Sequence, residues 1–317
     1  MRYPRAPLSE TTPVLRAPSG PPAAFSPAAL LWVLRPKQWT KNLALFAPLV
    51  FALRLTDVPE VLHAVLGVVS FCLLAGSVYV FNDIADREND RLHPEKCKRP
   101  IASGALPPAL AFGWGLCAMA AGLLVANRVS RGLLYVELSY VGLQIAYTLR
   151  LKQLAILDVM MIAVGFVIRV VAGAEAIAVP VSNWLYLCTL CLALFLGFCK
   201  RRHELLLLEG GATAHRANLA DYSTPLLDQL ISVTTAMTLV SYALYTMSSE
   251  TIAKFGTDNL KLTIPFVFYG VFRYLFLVYK KSQGGSPEKI LLADNPTRWN
   301  VILYLVVVVA VLYQRLL

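Results

Sequence analysis

Acidic and amide side chains recur at short spacing just after the second apolar segment of this 317-residue chain. They are Asn82, Asp83, Asp86 and Asp90. At 100° per residue, a helix through this stretch places all four within one quadrant of its surface. Carboxylates one turn apart repel each other on a helix, so a cation must offset that repulsion. Hard oxygen ligands of this kind suit Mg²⁺, which commonly bridges one or two carboxylates to a substrate phosphate. The alternative interpretation is a solvated turn in which Arg87 and Arg91 pair with the acids.

Basic residues flank the acidic stretch on both sides along the sequence. Lys98 and Arg99 follow it within the same loop, in the segment KRPIASG. Ahead of the first apolar segment, Lys37 and Lys41 share a helix face because they are four residues apart. A metal site that binds a polyphosphate needs such cations nearby. Lysine and tryptophan at a membrane interface also anchor a helix at its depth, so a lipid-headgroup anchor is the alternative.

Further polar residues lie at the ends of later apolar segments, on the same side of the membrane as the acidic stretch. They could form another wall of an anion-binding site, or they could be simple positive-inside anchors. They are Tyr147 and Lys152 at the end of the fourth segment, and Lys200, Arg201 and Glu204 at the end of the sixth.

Arg169 lies well inside the fifth apolar segment. A charge at that depth is costly and normally faces the interior of a helix bundle. We expect a structural ion pair with Asp158 or Glu175.

The composition requires a membrane to position these residues. The chain is 57% hydrophobic and 15% charged, with a mean hydropathy of +0.60. Average soluble domains are about 25% charged, so a soluble fold would lack surface charge. Most of the apolar runs approach the roughly 20 residues that cross a bilayer. They cover residues 42–53, 61–81, 106–126, 132–149, 155–178, 183–199, 226–247, 263–280 and 299–314.

The predicted fold is therefore all-α, a polytopic membrane helical bundle with about nine transmembrane helices. Residues 1–27, rich in proline and alanine, are expected to form a flexible cytoplasmic tail. Residues 28–317 are expected to form a single transmembrane catalytic domain.

The positions of the basic residues predict the orientation of these spans. Most of the 29 Lys and Arg residues fall on the side that holds the N-terminus and the acidic stretch, which is therefore predicted to be cytoplasmic. Basic residues spread over many loops also argue against nucleic-acid binding, which needs one basic face. Those on the opposite side are Arg54, Arg128, Arg131, Lys254, Lys261 and Arg315.

The six cysteines lie mostly within apolar runs, where a free cysteine behaves as a small hydrophobic residue. Cys188 and Cys191 form a CxxC pair, but no second Cys or His pair lies nearby. We expect neither disulfides nor zinc.

The motifs together resemble the UbiA-type prenyltransferase superfamily. The pattern NDxxDxxxD at residues 82–90 is similar to the first Asp-rich motif of these all-helical, Mg²⁺-dependent membrane enzymes, and the resemblance covers roughly residues 30–317. Typical members carry a second motif, DxxxD, between the sixth and seventh spans. Here that segment reads KRRHELLLLEGGATAHRANLADYS and has no DxxxD, which argues against ordinary prenyl transfer.

One subgroup, the decaprenyl-phosphate phosphoribosyltransferases, is similar in the segments RPKQWTKN, NDxxDxxxDxxHPxKxxRPIASG, LDVMMIAVGFVIRVVAGA and KRRHEL. The resemblance implies a plasma-membrane enzyme that transfers phosphoribose from phosphoribosyl pyrophosphate to a polyprenyl phosphate, in the synthesis of an arabinan precursor for the cell wall. It implies Mg²⁺ ligands at Asn82, Asp83 and Asp86, and catalytic roles for Asp83, Asp86 and Asp90. The substrate-binding residues that we assign on this basis are Arg35, Lys37, Lys41, Lys98, Arg99, Tyr147, Lys152, Lys200, Arg201 and Glu204.

Two other functions fit parts of the sequence. A prenyltransferase with an aromatic or quinone-precursor acceptor would use a prenyl diphosphate as its donor. A lipid transporter without chemistry would be expected to have two related halves, and no internal repeat is evident. The sequence leaves open whether copies of the chain form a homo-oligomer.

Overall fold

The computed structural model describes residues 27–92, 96–209, 217–281, 284–285, 287, 290 and 293–314. Every regular element within these residues is helical. A 3-10 helix, Pro36–Phe46, joins the first two α-helices. The α-helices are α1 (Pro27–Val33), α2 (Ala47–Phe51), α3 (Val58–Ala85), α4 (Arg87–Arg91), α5 (Pro108–Val129), α6 (Arg131–Leu149), α7 (Leu157–Ala176), α8 (Asn183–Glu209), α9 (Thr224–Met247), α10 (Ser249–Phe255), α11 (Ile264–Lys281) and α12 (Asn295–Tyr313).

Local chemistry explains where the long helices begin. Proline occupies the first turn of α3, α5, α9 and α12, where its missing N–H would have had no partner within the helix. Between α5 and α6 a single residue, Ser130, ends one helix and caps the next, its hydroxyl accepting from the Leu133 N–H at 2.9 Å. Antiparallel packing of α5 and α6 follows from so short a connection.

Seven helices in the described part of the chain are long and apolar enough to cross a membrane: α3, α5, α7, α8, α9, α11 and α12. The all-α membrane bundle is therefore confirmed, but the predicted count of about nine is not. Of the other two predicted spans, α6 is a full 19-residue helix that carries Glu137 and Gln144. The first predicted run, residues 42–53, is divided between the 3-10 helix and α2. The helical part of the chain begins earlier, with α1 at Pro27.

Helix α7 lies at the centre of the bundle, where it packs against α3, α6, α8 and the 3-10 helix. The 3-10 helix approaches α7 most closely at Gly173. A Cβ at this position would stand 2.0 Å from the backbone oxygen of Leu45, so the contact requires glycine. This approach brings the first segment of the chain into the interior.

Arg169 of α7 uses that proximity to satisfy its buried guanidinium. It donates to Asn42 Oδ1 at 2.9 Å, to the Gly165 carbonyl oxygen at 2.7 Å and to Tyr140 Oη at 3.0 Å. It also lies over the aromatic ring of Phe71. The expected ion pair with Asp158 or Glu175 was wrong, because neutral acceptors and aromatic faces meet the guanidinium first. Arg169 is thus a structural link between the 3-10 helix, α6 and α7.

The predicted cytoplasmic segment between the sixth and seventh spans is shorter than expected. Helix α8 continues through the KRRHEL motif to Glu209, whereas the apolar run ends at residue 199. The predicted N-terminal tail at residues 1–26 lies outside the described residues.

Candidate active site

The first group of site residues, which we call the Asp83 cluster, consists of Arg35, Asp83, Asp90, Lys96 and Arg99. Asp83 and Asp90 are each 3% exposed. Arg99 Nη1 lies 3.0 Å from Asp83 Oδ1 and 2.5 Å from Asp90 Oδ2, so one guanidinium joins both carboxylates. Arg35 Nη2 donates to Asp83, and Lys96 Nζ lies 3.8 Å from Asp90. These cations offset the repulsion between the two acids.

Arg35 reaches Asp83 from a strained backbone. Its φ of 54° and ψ of 63° lie in the left-handed region, just before Pro36 opens the 3-10 helix. Non-glycine residues pay a cost of about 1–2 kcal/mol there. Strain of this kind persists where the surrounding structure fixes a residue, commonly at functional sites. The Arg35 guanidinium also lies 4.8 Å from the ring centroid of Tyr79.

Asp86 and Asn82 are placed differently from the other two acids. Helix α3 ends at Ala85, and Asp86 forms the junction with α4. The Asp86 side chain is exposed and forms no hydrogen bond or ion pair with any residue that the structure describes. Asn82 is half-buried, and its Oδ1 accepts a 3.4 Å hydrogen bond from Thr148 Oγ1. Of the four residues that were predicted to share one quadrant, Asn82 and Asp86 are therefore the two whose oxygen atoms have no cationic partner among the described residues.

The second group, which we call the Asp158 cluster, consists of Asp158, Arg201, Glu204 and Tyr222. The side chains of Asp158 and Arg201 are both completely buried. Arg201 Nε donates to Asp158 Oδ2 at 2.6 Å, and Arg201 Nη1 donates to Glu204 Oε2. Tyr222 Oη donates to Asp158 Oδ1 at 2.8 Å. Burial raises the pKa of the Tyr222 phenol, so this donor stays protonated across the physiological range.

Two consecutive residues at the end of α6 connect these clusters. Thr148 bonds to Asn82 beside the Asp83 cluster, and Tyr147 lies within electrostatic range of Arg201. The carboxylates of both clusters therefore face the same end of the bundle, around the terminus of α6. We call this end of the bundle, which carries the Asp83 cluster and the Asp158 cluster, the mouth.

The remaining residues predicted to bind substrate differ in their exposure. Lys37 and Lys98 are exposed, and Lys41, Lys152 and Lys200 are half-buried. Arg201 is completely buried, and Asp158 and Glu204 occupy its Nε and Nη1, which leaves Nη2 without a partner among the described residues. Glu204 keeps 25% of its side chain exposed and is the accessible member of the Asp158 cluster.

Tyr222 and Thr148 are site residues that sequence reasoning missed. Tyr222 fixes the start of α7, because its oxygen accepts from the Ile156 N–H at 2.6 Å while donating to Asp158. Ile156 itself has a φ of 68°, an unusual conformation for a β-branched residue. Nothing in the sequence near Tyr222 marks it as a partner of a helix 64 residues earlier.

An apolar groove lies between the 3-10 helix and α3, and Pro36, the residue after Arg35, is part of its lining. Its volume is about 350 Å³, within the range of small-molecule sites. Leu43 and Val69 on its walls are about half exposed, so the groove opens at the lipid-facing surface. The lining residues are Pro36, Trp39, Thr40, Leu43, Val68, Val69, Cys72 and Leu73.

The oxygen donors at the end of α3 fit Mg²⁺ in kind. Among the described residues, no three His, Cys, Asp or Glu side chains form a ready-made metal site. Mg²⁺ does not require one, because it typically takes one or two carboxylates together with substrate phosphates and waters. Asp86 and Asn82 offer oxygen atoms without a cationic partner, and Asp83 lies one helical turn from Asp86.

Comparisons with known proteins agree with this architecture. The profile of the UbiA prenyltransferase family matches residues 43–291. The chain belongs to the UbiA prenyltransferase family. It is 32% identical over 288 residues to a protein of Mycolicibacterium smegmatis named decaprenyl-phosphate phosphoribosyltransferase, covering 87% of this chain and 90% of the relative. A protein of the same name from Corynebacterium glutamicum is 32% identical over 271 residues, covering 84% of this chain and 81% of the relative.

The UbiA fold is also found in solved structures. A UbiA homologue from Archaeoglobus fulgidus bound to GPP and Mg²⁺ superposes with a TM-score of 0.67 at 21% identity, covering 90% of this chain and 99% of the homologue. This likeness establishes the fold alone. The family match and the two relatives confirm the sequence-based resemblance. They identify the protein as a polytopic membrane transferase of the UbiA type, and the solved structure has the same fold.

Proposed function

We propose that this protein transfers the 5-phosphoribosyl group from phosphoribosyl pyrophosphate to a polyprenyl phosphate, releasing pyrophosphate, with Mg²⁺ as its cofactor. The observation that carries the proposal is the composition of the single mouth. It holds one acidic site rich in cations, an apolar groove beside it, and no second Asp-rich motif. The similarity to two decaprenyl-phosphate phosphoribosyltransferases over most of both chains supports the same donor and acceptor.

The cationic residues would receive the pyrophosphate of the donor. Arg35 and Arg99 already hold carboxylate anions at Asp83 and Asp90, so their guanidinium groups are fixed where an anionic ligand would arrive. A pyrophosphate that binds there gains charge-assisted hydrogen bonds from these groups. Lys37 and Lys98 are exposed and free to contribute further charge at the rim of the mouth.

Asn82, Asp83 and Asp86 would hold Mg²⁺, which neutralises developing negative charge on a leaving pyrophosphate. In the transfer, an oxygen of the lipid phosphate forms a bond to the ribose C1, and the bond between C1 and the pyrophosphate oxygen breaks. The lipid phosphate is already an anion, so the step needs positioning more than deprotonation. This agrees with the lack of a Ser-His-Asp, Cys-His or HExxH constellation in the sequence.

The apolar groove would hold the first isoprene units of the polyprenyl phosphate. It opens toward lipid at Leu43 and Val69, and it ends at Pro36, next to Arg35. An acceptor lying in it would place its phosphate beside Arg35 and Lys37. The distribution of Lys and Arg supports a cytoplasmic location for this mouth and a plasma-membrane enzyme. The comparisons give no support for a homo-oligomer.

A donor-choice assay tests this proposal. Purified protein in lipid vesicles with Mg²⁺ and polyprenyl phosphate would receive either labelled phosphoribosyl pyrophosphate or a labelled prenyl diphosphate. The proposal predicts label in the lipid fraction only with phosphoribosyl pyrophosphate. Incorporation only from the prenyl diphosphate, with an aromatic acceptor, would instead identify an ordinary prenyltransferase. Failure of both donors would favour a transporter.

A further inference from the structure

The Asp158 cluster differs from a metal site in its charge. Arg201 lies between Asp158 and Glu204 and bonds to both, so its positive charge offsets half of their combined negative charge. A divalent cation would have to compete with a guanidinium that is already fully buried. The cluster is therefore poorly suited to a second Mg²⁺, although it occupies the segment where typical UbiA members carry the DxxxD motif.

One carboxylate oxygen of Glu204 accepts no hydrogen bond from the other members of the Asp158 cluster. Its Oε2 accepts from Arg201, and its Oε1 has no hydrogen bond to any residue in the described part of the chain. Beside it, Arg201 Nη2 is buried and has no hydrogen-bond partner among the residues that the structure describes. Buried donors without acceptors are rare and costly, and such a pair is complementary to a group that both donates and accepts. A hydroxyl group is the simplest ligand with that property.

The position of Glu204 relative to the Asp83 cluster is set by the end of α6. Thr148 bonds to Asn82 on one side, and Tyr147 lies near Arg201 on the other. Helix α6 therefore places Glu204 at the same end of the bundle as the Asp83 cluster, to which the proposed function assigns the pyrophosphate. Next to the pyrophosphate, phosphoribosyl pyrophosphate has a ribose with two hydroxyls, whereas a prenyl diphosphate has only hydrocarbon.

We propose that Glu204 accepts hydrogen bonds from the ribose hydroxyls of the donor and so selects a sugar diphosphate over a prenyl diphosphate. This inference rests on the proposed function. Carboxylates commonly recognise ribose hydroxyls in this way, as in dinucleotide-binding sites. Asp158 and Tyr222 act as positioning residues, because they hold Arg201, which in turn holds Glu204. Recognition of a ribose then explains why the chain has the Asp158 cluster and no second Asp-rich motif.

Binding measurements with two ligands isolate the contribution of the ribose. Calorimetry with Mg²⁺ would compare phosphoribosyl pyrophosphate with inorganic pyrophosphate on the wild-type protein and on Glu204→Gln. The glutamine keeps an oxygen for Arg201 but loses the charge. We expect the affinity for phosphoribosyl pyrophosphate to fall about tenfold or more, as for hydrogen bonds to charged groups. The affinity for pyrophosphate should not change, which also shows that the variant is folded.

Glu88→Gln is the matched control, since Glu88 is an exposed acid of α4 whose ion pairs with described residues are those with Arg87 and Arg91. It should leave both affinities unchanged. An equal loss for both ligands in Glu204→Gln would make Glu204 a metal or phosphate ligand and overturn the inference, as would no loss for either. Phosphoribosyl transfer is assayed separately, so its absence would refute the proposed function without depending on Glu204.

Discussion

At the scale of single residues, the acids at the end of α3 have separate tasks. Asp83 and Asp90 are buried and joined by Arg99, so they organise the cations of the mouth. Asp86 is exposed, and no described residue pairs with it, so its carboxylate can bind a metal without first releasing a cation. Among the three predicted catalytic acids, Asp86 should therefore show the clearest effect of losing its charge.

Asp86→Asn removes one negative charge without changing the shape of the side chain. We expect the turnover rate to fall at least about 100-fold, the scale of losing one electrostatic contact to a developing charge. Thermal stability should stay unchanged, because Asp86 makes no side-chain bond to the described structure. Measurement of kcat in vesicles at saturating Mg²⁺ checks this, with Glu88→Gln as the control. Wild-type turnover in Asp86→Asn would remove this residue from the metal site.

The helical spacing predicts that Asn82, Asp83, Asp86 and Asp90 share one face, but not how they are bonded. The structure joins Asp83 and Asp90 through Arg99 and places Asp86 at the junction after α3. The burial of Asp83 depends on Arg35, which lies 48 residues earlier and reaches it from a left-handed backbone. Spacing along one helix carries no information about such a partner. The same limit explains why Tyr222 was missed.

At the scale of elements, the apolar runs predicted the helices well wherever a single helix crosses the bundle. The run 106–126 corresponds to α5, and the run 226–247 corresponds to α9. The first segment could not be predicted in this way. Its backbone is divided into short helices because Pro36 and Pro48 interrupt it, and its packing against α7 depends on one distant glycine.

Gly173→Ala tests this close approach. The added methyl would collide with the Leu45 carbonyl oxygen, a backbone atom that cannot rotate away, so the 3-10 helix must shift. We expect a loss of about 1–3 kcal/mol, the usual cost of overpacking, seen as a lower Tm in detergent. Gly142→Ala is the control, since a Cβ there meets nothing within 4 Å and alanine favours the helix. Equal Tm values for the two variants would contradict the predicted contact.

Val69→Trp tests the groove between the 3-10 helix and α3. Val69 lines the groove and is 45% exposed, so the larger ring should fill the groove without disturbing the core. The expected result is a KM for polyprenyl phosphate raised about tenfold, with the KM for the donor unchanged. Val65→Trp, one turn away on the same helix and outside the groove, should change neither value. A normal acceptor KM in Val69→Trp would place the lipid tail elsewhere.

At the scale of the whole molecule, a hydrogen-bonded ion pair joins two consecutive long helices, α11 and α12. Arg273 of α11 donates to Asp294, which precedes α12, at 3.1 Å and 2.8 Å. Asp294 also accepts from the Thr297 N–H and so caps α12. These bonds, above all those from Arg273, hold the pKa of the Asp294 carboxyl well below its usual range.

This lowered pKa makes the stability of the α11–α12 pair dependent on pH. A carboxyl whose pKa is lower in the folded state stabilises the protein above its unfolded pKa of about 3.9, and that stabilisation is lost as the pH falls below it. We therefore expect Asp294→Asn to lower the Tm at pH 7, with a difference from wild type that narrows between about pH 5 and pH 3. A constant difference across that range would mean that the charge of Asp294 contributes nothing.

The central claim is that the cationic, acid-bearing mouth of this UbiA-family bundle transfers phosphoribose to a membrane lipid. Mass spectrometry of lipid extracted after purified protein, Mg²⁺, phosphoribosyl pyrophosphate and polyprenyl phosphate are combined in vesicles tests it most directly. The account predicts a polyprenyl phosphate whose mass has increased by one phosphoribosyl group, formed at least about 100-fold more slowly by Asp86→Asn. An unmodified lipid, or product formed at the wild-type rate by Asp86→Asn, would contradict it.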